Sequence, residues 1–112
     1  FFPWLQKLTP YEHDYSCTPG SEWTRFEFTA ASGKPYKFGV LICYEDSDPY
    51  PARRYNSWGG GEPVDFLVNI SNDGWFDGTE EHEQHLAICR FRAIEARRSV
   101  VRAVNMGISA VI

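Results

Sequence analysis

Cys43, Tyr44 and Glu45 follow one another at the end of a short apolar run, Val40-Leu41-Ile42. A cysteine thiolate is a strong nucleophile at neutral pH, and a carboxylate two residues away can either support the chemistry or cap the turn. The stretch Asp46-Ser47-Asp48-Pro49 follows and is typical of a turn and a helix start. The positive end of such a helix favours the thiolate. From these residues alone, a buried and inert cysteine is an equally good interpretation.

A second group of residues with chemical potential, His82, His85 and Cys89, lies at positions i, i+3 and i+7 of a predicted helix. Both residue types bind zinc, but the spacing is neither HExxH nor paired CxxC, and no fourth ligand is evident. We therefore predict no metal site and no cofactor. On the same helix, Arg92 and Glu95 are spaced for a structural ion pair.

The three cysteines are Cys17, Cys43 and Cys89. They are odd in number and widely spaced, which matches no disulfide framework. A bridge between Cys17 and Cys89 remains open, and cysteine usage does not indicate the compartment.

The nucleophile candidate is positioned by a predicted hairpin. Residues 23–29 alternate as a strand, residues 32–35 form a turn, and the strand at residues 36–42 delivers Cys43. Residues 50–58 have helical character and end at a run of three glycines. Residues 64–70 form a second buried-type strand, and the loop at residues 71–78 carries two large aromatic side chains, as expected of a loop that lines a site.

Thr79 is the predicted cap of the clearest helix, which has glutamates in its first turns and Arg97-Arg98 in its last. Its apolar residues predict one broad buried face, formed by Leu86, Ile88, Phe91, Ala93, Ile94 and Ala96. Residues 99–105 form another strand, and a further strand begins at residue 108. The order β-β-α-β-α-β-β predicts a layered α/β domain.

The bulk composition is that of at most one globular domain. The chain has 112 residues, 43% of them hydrophobic and 23% charged, and a net charge of -4. This charge gives no reason to expect nucleic acid or an anionic membrane surface as a partner. No run approaches the roughly 18 apolar residues of a membrane span, and no signal peptide opens the chain. Because the chain begins at Phe1 and stops inside an apolar run, we interpret it as a piece of something longer.

Three segments in this order resemble the nitrilase (carbon-nitrogen hydrolase) superfamily, and within it the catalytic domain of apolipoprotein N-acyltransferases. They are Gly39-Val40-Leu41-Ile42-Cys43-Tyr44-Glu45, then Asn69-Ile70-Ser71-Asn72-Asp73-Gly74-Trp75-Phe76, and the run from Gln84-His85 to Val111-Ile112. The Cys-Tyr-Glu tripeptide alone is weak, whereas the three segments together are highly specific. Residues 1–35 fit only loosely.

The resemblance implies that residues 1–112 are the C-terminal portion of a four-layer α-β-β-α sandwich, truncated at both ends. It implies a Glu-Lys-Cys catalytic set in which Cys43 is the nucleophile. Cys43 would take an acyl group from a phospholipid as a thioester and pass it to the N-terminal amine of a lipoprotein. Glu45 is the supporting carboxylate, the backbone N–H of Tyr44 is a candidate oxyanion donor, and Trp75 and Asn72 are expected to bind substrate.

Parts of the family pattern are missing from the chain. The family's general-base glutamate and its lysine would both lie upstream of Phe1, and neither Lys7 nor Lys34 sits in the lysine motif. The parent protein is expected to have flanking membrane helices and to hold this domain on the periplasmic side of a bacterial inner membrane. Alone, the chain should be inactive. Its strands ending at Cys43 and Asn69 should lack neighbours and leave edges and an apolar face exposed. A soluble nitrilase-type amidase and a non-catalytic binding module remain alternatives.

Overall fold

The computed structural model describes residue 18, residues 20–56 and residues 61–112. Predictions that concern Lys7, Cys17 or the glycine run at residues 59–60 lie outside the described residues. The same holds for the proposed bridge from Cys17. Its other candidate partner, Cys89, is a buried free thiol. The helix predicted for residues 50–58 is shorter in the structure, where it ends at Arg54 and Tyr55 is its C-cap.

Within the described ranges, five strands form one sheet in the order β1-β2-β3-β4-β5. The strands are β1 (Phe26–Thr29), β2 (Pro35–Ile42), β3 (Phe66–Asn72), β4 (Ser99–Asn105) and β5 (Ala110–Val111). The pairings of β2 with β3 and of β3 with β4 are parallel, and both outer pairings are antiparallel. The carboxyl ends of β2, β3 and β4 therefore meet at one edge of the sheet, where α/β folds place their sites.

In the described part of the chain, two α-helices separate the parallel strands in chain order: α1 (Pro49–Arg54) follows β2, and α2 (Glu81–Ala96) follows β3. Each is preceded by a short 3₁₀ helix that begins where a strand ends, Cys43–Ser47 after β2 and Asp73–Phe76 after β3. The predicted order β-β-α-β-α-β-β is thus confirmed. The predicted α/β fold class is likewise confirmed by the mixed five-stranded sheet and its helices.

The two faces of the sheet differ in what covers them. Side chains alternate along each strand, so Leu41, Leu67 and Val100 share the face that packs against the helices. Ala52, Cys89 and Ala96 complete this core from the helices, together with Tyr55 and Val64. The Tyr55 ring lies directly on Gly39, where an added Cβ would come within 2.4 Å of it.

The opposite face carries large apolar side chains that remain exposed, among them Phe26, Phe28, Ile42 and Ile70. An exposed apolar face was expected of this chain, but the expected lack of strand neighbours is wrong. Both β2 and β3 are paired on both sides. The antiparallel β1 supplies the neighbour of β2 from within the chain itself.

The predicted buried face of α2 is correct for Ala96, which is buried, and for Ala93, which packs against the core, but it is wrong for two of its largest members. The buried residues of this helix are His85, Cys89, Arg92 and Ala96, spaced i, i+4, i+7 and i+11. Phe91 and Ile94 instead lie outside, with 59% and 70% of their surface exposed. His85 can be buried in place of these apolar residues because it has carboxylate partners in the interior, which offset the cost of burying its polar ring.

The ends of the helices follow the sequence more closely. Asp48 caps α1 by accepting from the backbone N–H of Tyr50 at 2.8 Å. Thr79 Oγ1 accepts from the backbone N–H of Glu81 at 3.3 Å, although Glu80 is the residue at the cap position of α2. None of the helices in the described ranges has the length and apolarity that a membrane span requires.

Candidate active site

Cys43 lies at the carboxyl end of β2, as predicted, and opens the first 3₁₀ helix. Its φ of 51° is in the left-handed region, which a residue with a side chain adopts only when its surroundings impose it. Hydrogen bonds from Asn69 on the neighbouring strand help to hold Cys43 in this conformation. The Asn69 Nδ2 donates to the carbonyl oxygens of Cys43 at 3.0 Å and of Leu41 at 3.3 Å. The half-buried thiol is therefore held at a sharp strand-to-helix turn.

Glu45 caps the same turn. Its Oε2 accepts from the backbone N–H of Ile42 at 2.7 Å, so the carboxylate is tied to the residue before Cys43. The sequence left open whether Glu45 supports the chemistry or caps the turn, and this hydrogen bond is that of a cap. The exposed Glu45 carboxylate belongs to the second residue after the thiol.

Tyr44 connects the turn to α2. Its ring stacks on the imidazole of His85 with centroids 4.4 Å apart, and its hydroxyl donates to Glu81. The rings of Tyr44 and Phe76 are in T-shaped contact, with their centroids 5.9 Å apart. The hydrogen bond to Glu81, followed by partial burial, raises the pKa of Tyr44 to about 12. Tyr44 is thus a neutral phenol whose side chain faces α2.

The loop after β3 carries the predicted substrate-binding residues. Trp75 has 83% of its surface exposed, so its ring is free to meet a ligand. Asn72 has a local task, because its Oδ1 accepts from the backbone N–H of Gly74 at 3.2 Å and caps the second 3₁₀ helix. The aromatic side chain of this loop that touches the Cys43–Tyr44 turn is Phe76, which the sequence analysis did not single out.

Behind this edge of the sheet lies a buried polar cluster. We use this name for five residues that are at most 2% exposed: Asp46, Asn69, Asp73, His85 and Arg102. His85 is at its centre, with Nε2 3.0 Å from Asp46 Oδ1 and Nδ1 3.1 Å from Asp73 Oδ1. The imidazole therefore joins the 3₁₀ helix that begins at Cys43 to the one that carries Trp75.

Arg102 completes the cluster from β4. Its Nη2 donates to Asp73 Oδ2 at 2.6 Å, its Nη1 to Asn69 Oδ1 at 2.7 Å, and its Nε to the carbonyl oxygen of Ile108 at 3.1 Å. Since Asn69 in turn donates to the Cys43 carbonyl, a continuous chain of hydrogen bonds runs from the guanidinium to the backbone of Cys43. Buried charges of this kind are stable only when they are paired and hydrogen-bonded.

Burial in and beside the cluster raises the pKa values of two groups, Asp46 and Cys89. Burial raises the pKa of Asp46, against the opposing effects of His85 and Arg102. Burial also raises the pKa of the Cys89 thiol to about 11, and the nearby Asp46 acts in the same direction. Cys89 is therefore a protonated thiol at neutral pH, and it lies inside the core where a reagent does not reach it.

One group of side chains in the described part of the chain has atoms close enough to share a cation: Asp73, Glu81 and His85. The partners that these side chains already have do not favour a bound cation. The Asp73 carboxylate already pairs with Arg102, and its Oδ1 also accepts from Ser71 Oγ at 2.6 Å. His85, named with His82 and Cys89 in the zinc alternative, is instead enclosed by carboxylates, and His82 Nε2 lies 3.1 Å from the backbone oxygen of Asp73.

Asp46, Asp73 and Arg102 were not predicted from the sequence as members of a site. A signal was present in the strand pattern. Arg102 lies two residues after the buried Val100, so it falls on the face of the sheet that packs against the helices. A charge at such a position requires a buried partner.

Comparison with known proteins identifies the class to which this fold and site belong. The family model for carbon-nitrogen hydrolases matches residues 4–112, and the chain belongs to that family. The resemblance of its three segments to the nitrilase superfamily is thus confirmed.

Curated relatives carry the name apolipoprotein N-acyltransferase. The chain is 34% identical to the one from Chlorobaculum tepidum, over 97% of the chain and 20% of that protein. It is 38% identical to the one from Bdellovibrio bacteriovorus, over 96% of the chain and 18% of that protein. It is also 46% identical to apolipoprotein N-acyltransferase 2 of Leptospira interrogans, over 66% of the chain and 12% of that protein. The chain therefore spans about a fifth, or less, of the length of these relatives.

Proposed function

We propose that the protein carrying this chain is an N-acyltransferase that moves an acyl chain from a phospholipid to the N-terminal amine of an apolipoprotein, through a thioester at Cys43. The proposal is supported by the placement of a half-buried cysteine in the left-handed region at the carboxyl end of a parallel strand, in a chain whose relatives carry the acyltransferase name. Transfer through a thioester replaces one difficult step by two easier ones.

In this proposal the Cys43 Sγ attacks the ester carbonyl, and the lysophospholipid alcohol leaves with a proton. The amine of the acceptor then attacks the thioester carbonyl, and the thiol is released. Each step passes through an oxyanion, which needs hydrogen-bond donors. The backbone N–H of Tyr44 is our candidate donor, since it lies at the first turn of a helix, where N–H groups have no intrahelical acceptor.

Glu45 and the aromatic loop have supporting roles in the proposal. The Glu45 carboxylate holds the Cys43 turn through the backbone N–H of Ile42. Trp75, with its exposed ring, and the neighbouring Asn72 would contact the substrate, and an aromatic surface suits an acyl chain. No residue of the chain is assigned to a metal or a cofactor.

The remainder of the catalytic set would come from elsewhere in the protein. Because the chain covers a fifth or less of its relatives, we propose that residues 1–112 are the C-terminal portion of one carbon-nitrogen hydrolase domain. The general-base glutamate, the lysine, the other layers of an α-β-β-α sandwich and flanking membrane helices would lie outside these residues. The domain would face the periplasm at a bacterial inner membrane.

The test uses the full-length protein in detergent with a phospholipid and a synthetic lipopeptide that begins with diacylglyceryl-cysteine. We expect N-acylated lipopeptide from wild-type protein and none from Cys43→Ala. Mass spectrometry of the protein without acceptor should find the acyl group on the peptide containing Cys43. Hydrolysis of a small amide, with no transfer from phospholipid, would instead favour the amidase alternative. Absence of any acyl adduct on Cys43 would favour a binding module.

A further inference from the structure

Asn69 is a buried polar side chain that contacts the Cys43 turn. It is fully buried on β3, and its Nδ2 donates to the carbonyl oxygens of Cys43 at 3.0 Å and of Leu41 at 3.3 Å. A side-chain amide has two N–H donors, and both are used here. One amide therefore holds two carbonyl groups at the step from β2 into the turn.

The orientation of this amide is fixed by its neighbours. Leu41, Asn69 and Arg102 are adjacent in one row across β2, β3 and β4. Arg102 Nη1 donates to Asn69 Oδ1 at 2.7 Å, and the guanidinium is itself held by Asp73 and by the carbonyl oxygen of Ile108. A guanidinium can only donate, and a main-chain carbonyl can only accept. The Asn69 Oδ1 must therefore face Arg102, and its Nδ2 must face the turn.

The Cys43 carbonyl shares its peptide group with the Tyr44 N–H, which is our candidate oxyanion donor. A peptide group is planar and trans, so its C=O and its N–H point in opposite directions. Because the Cys43 carbonyl oxygen is bound by Asn69 inside the protein, the Tyr44 N–H points away from Asn69. A hydrogen bond to the carbonyl also polarises the peptide group, which strengthens its N–H as a donor. The Asn69 amide thus affects both the direction and the strength of this donor.

The backbone conformation of Cys43 requires such a restraint. Its φ of 51° is in the left-handed region, which residues with a Cβ rarely adopt. Relaxation of Cys43 towards ordinary backbone angles would rotate the peptide group that follows it, and with it the Tyr44 N–H. The hydrogen bond from Asn69 resists this rotation at the Cys43 carbonyl.

We propose that Asn69, oriented by Arg102, is a positioning residue that directs the Tyr44 N–H towards the oxyanion formed when Cys43 is acylated. This inference rests on Cys43 being the acylated nucleophile of the proposed function. A reaction of the same thiol that forms no oxyanion should not depend on Asn69. That difference separates a positioning role from a role in folding alone.

The test compares two reactions of Cys43 in the full-length protein at one pH. In the first, Sγ attacks the carbonyl carbon of p-nitrophenyl butyrate, an S–C bond forms, the ester C–O bond breaks and p-nitrophenolate leaves. Its rate is the initial release of p-nitrophenolate, less that of Cys43→Ala. In the second, Sγ attacks the saturated carbon of iodoacetamide and iodide leaves, as followed by mass spectrometry of the peptide containing Cys43. Both reactions use the same thiolate, so the ionised fraction of Cys43 cancels in the ratio of the two rates.

Asn69→Leu keeps the branching and approximate size of the side chain and removes its N–H donors without adding a charge. We expect the ratio of acylation to alkylation to fall by about ten- to a hundredfold, the order of a misdirected oxyanion donor. A ratio within about twofold of wild type would overturn the proposal. If Asn69→Leu does not fold, Asn69→Asp decides by the same ratio, since it keeps an acceptor for Arg102 but has no N–H for the Cys43 carbonyl.

Asn56→Leu is the matched control. The Asn56 Nδ2 donates to the carbonyl oxygen of Ala96 at 2.8 Å, so this variant removes the same kind of hydrogen bond at the C-terminal end of α2. It should leave the ratio unchanged, and a fall as large as that of Asn69→Leu would contradict the proposal. If the ester acylates wild-type protein but phospholipid never does, the proposed lipid donor is wrong, and the ratio in Asn69→Leu still decides this inference.

Discussion

The ring of Tyr44 lies flat on the imidazole of His85, with centroids 4.4 Å apart and planes within 6° of parallel. Tyr44, which follows Cys43, is thereby fixed to the N-terminal part of α2, and its hydroxyl is directed to Glu81 on the same helix. Two contacts from one side chain restrain the Cys43 turn against the helix. A catalytic thiol gains from such restraint, because small displacements of reacting atoms lower rates steeply.

The Tyr44 hydroxyl should titrate at about pH 12, above its ordinary value of 10.0, because ionisation breaks the hydrogen bond to Glu81 and places two negative charges together. Since the folded-state pKa is raised, the stabilising effect is fully present below about pH 10 and is lost as the pH rises towards 12. The measurement is the phenolate absorbance of wild-type protein minus that of Tyr44→Phe, followed with pH.

The controls for this titration are on α2. Glu81→Gln removes the charge beside the hydroxyl and should lower the midpoint, whereas Glu83→Gln, an exposed neighbour, should not. A midpoint at the ordinary tyrosine value in the wild-type protein would show that the contact with Glu81 does not persist in solution.

Cys43 should be the thiol that forms the acyl-enzyme, and Cys89 should not be required. Cys89 is fully buried and its pKa is about 11, so it is neither accessible nor ionised at neutral pH. In the full-length protein we expect Cys43→Ala to abolish the trapped thioester. Cys89→Ala should retain it, at a cost in unfolding free energy of about 1–2 kcal/mol for the lost packing. Equal loss of the thioester in both variants would overturn the assignment.

The order of elements and the place of Cys43 could be predicted from the sequence because both depend on local signals. Val40-Leu41-Ile42 ends at a polar turn, and Asp48-Pro49 begins a helix. A strand–turn–helix unit can therefore be predicted from residues that are adjacent in the chain. β4 was predicted at its observed bounds, Ser99–Asn105, because apolar residues dominate it and Met106-Gly107 ends it.

The buried polar cluster could not be predicted in the same way. His85 is inside because Asp46 and Asp73, which lie 39 and 12 residues away in the chain, supply partners for both of its nitrogens. A hydrophobicity pattern assigns the buried face of a helix from its apolar residues alone, and it therefore predicted that Phe91 is buried. The partners of a buried polar group become visible only when the strands have been placed side by side.

Glu45 should contribute to catalysis beyond its contact with Ile42. Glu45→Gln keeps a carbonyl oxygen that can accept from the Ile42 N–H, so the turn should persist, while the negative charge is lost. We expect the full-length variant to fold with a thermal midpoint close to wild type and to lose at least about tenfold in turnover, the order of a general acid–base or charge effect. Wild-type turnover in Glu45→Gln would leave Glu45 with the capping role alone.

The 112-residue chain alone should not transfer an acyl group. Its described lysines are far from the thiol: Lys34 lies over the Tyr36 ring, and Lys37 pairs with Glu62 and Glu27 near the start of β2. Since Lys37 and Cys43 are six positions apart along an extended strand, roughly 20 Å separates them. Without a cation or base beside it, a thiol with a pKa of about 8.5 is only a few per cent thiolate at neutral pH. The purified chain is incubated with phospholipid and lipopeptide, with full-length protein as the positive control. N-acylated product at a rate comparable to that control would mean that these residues already contain the whole catalytic set.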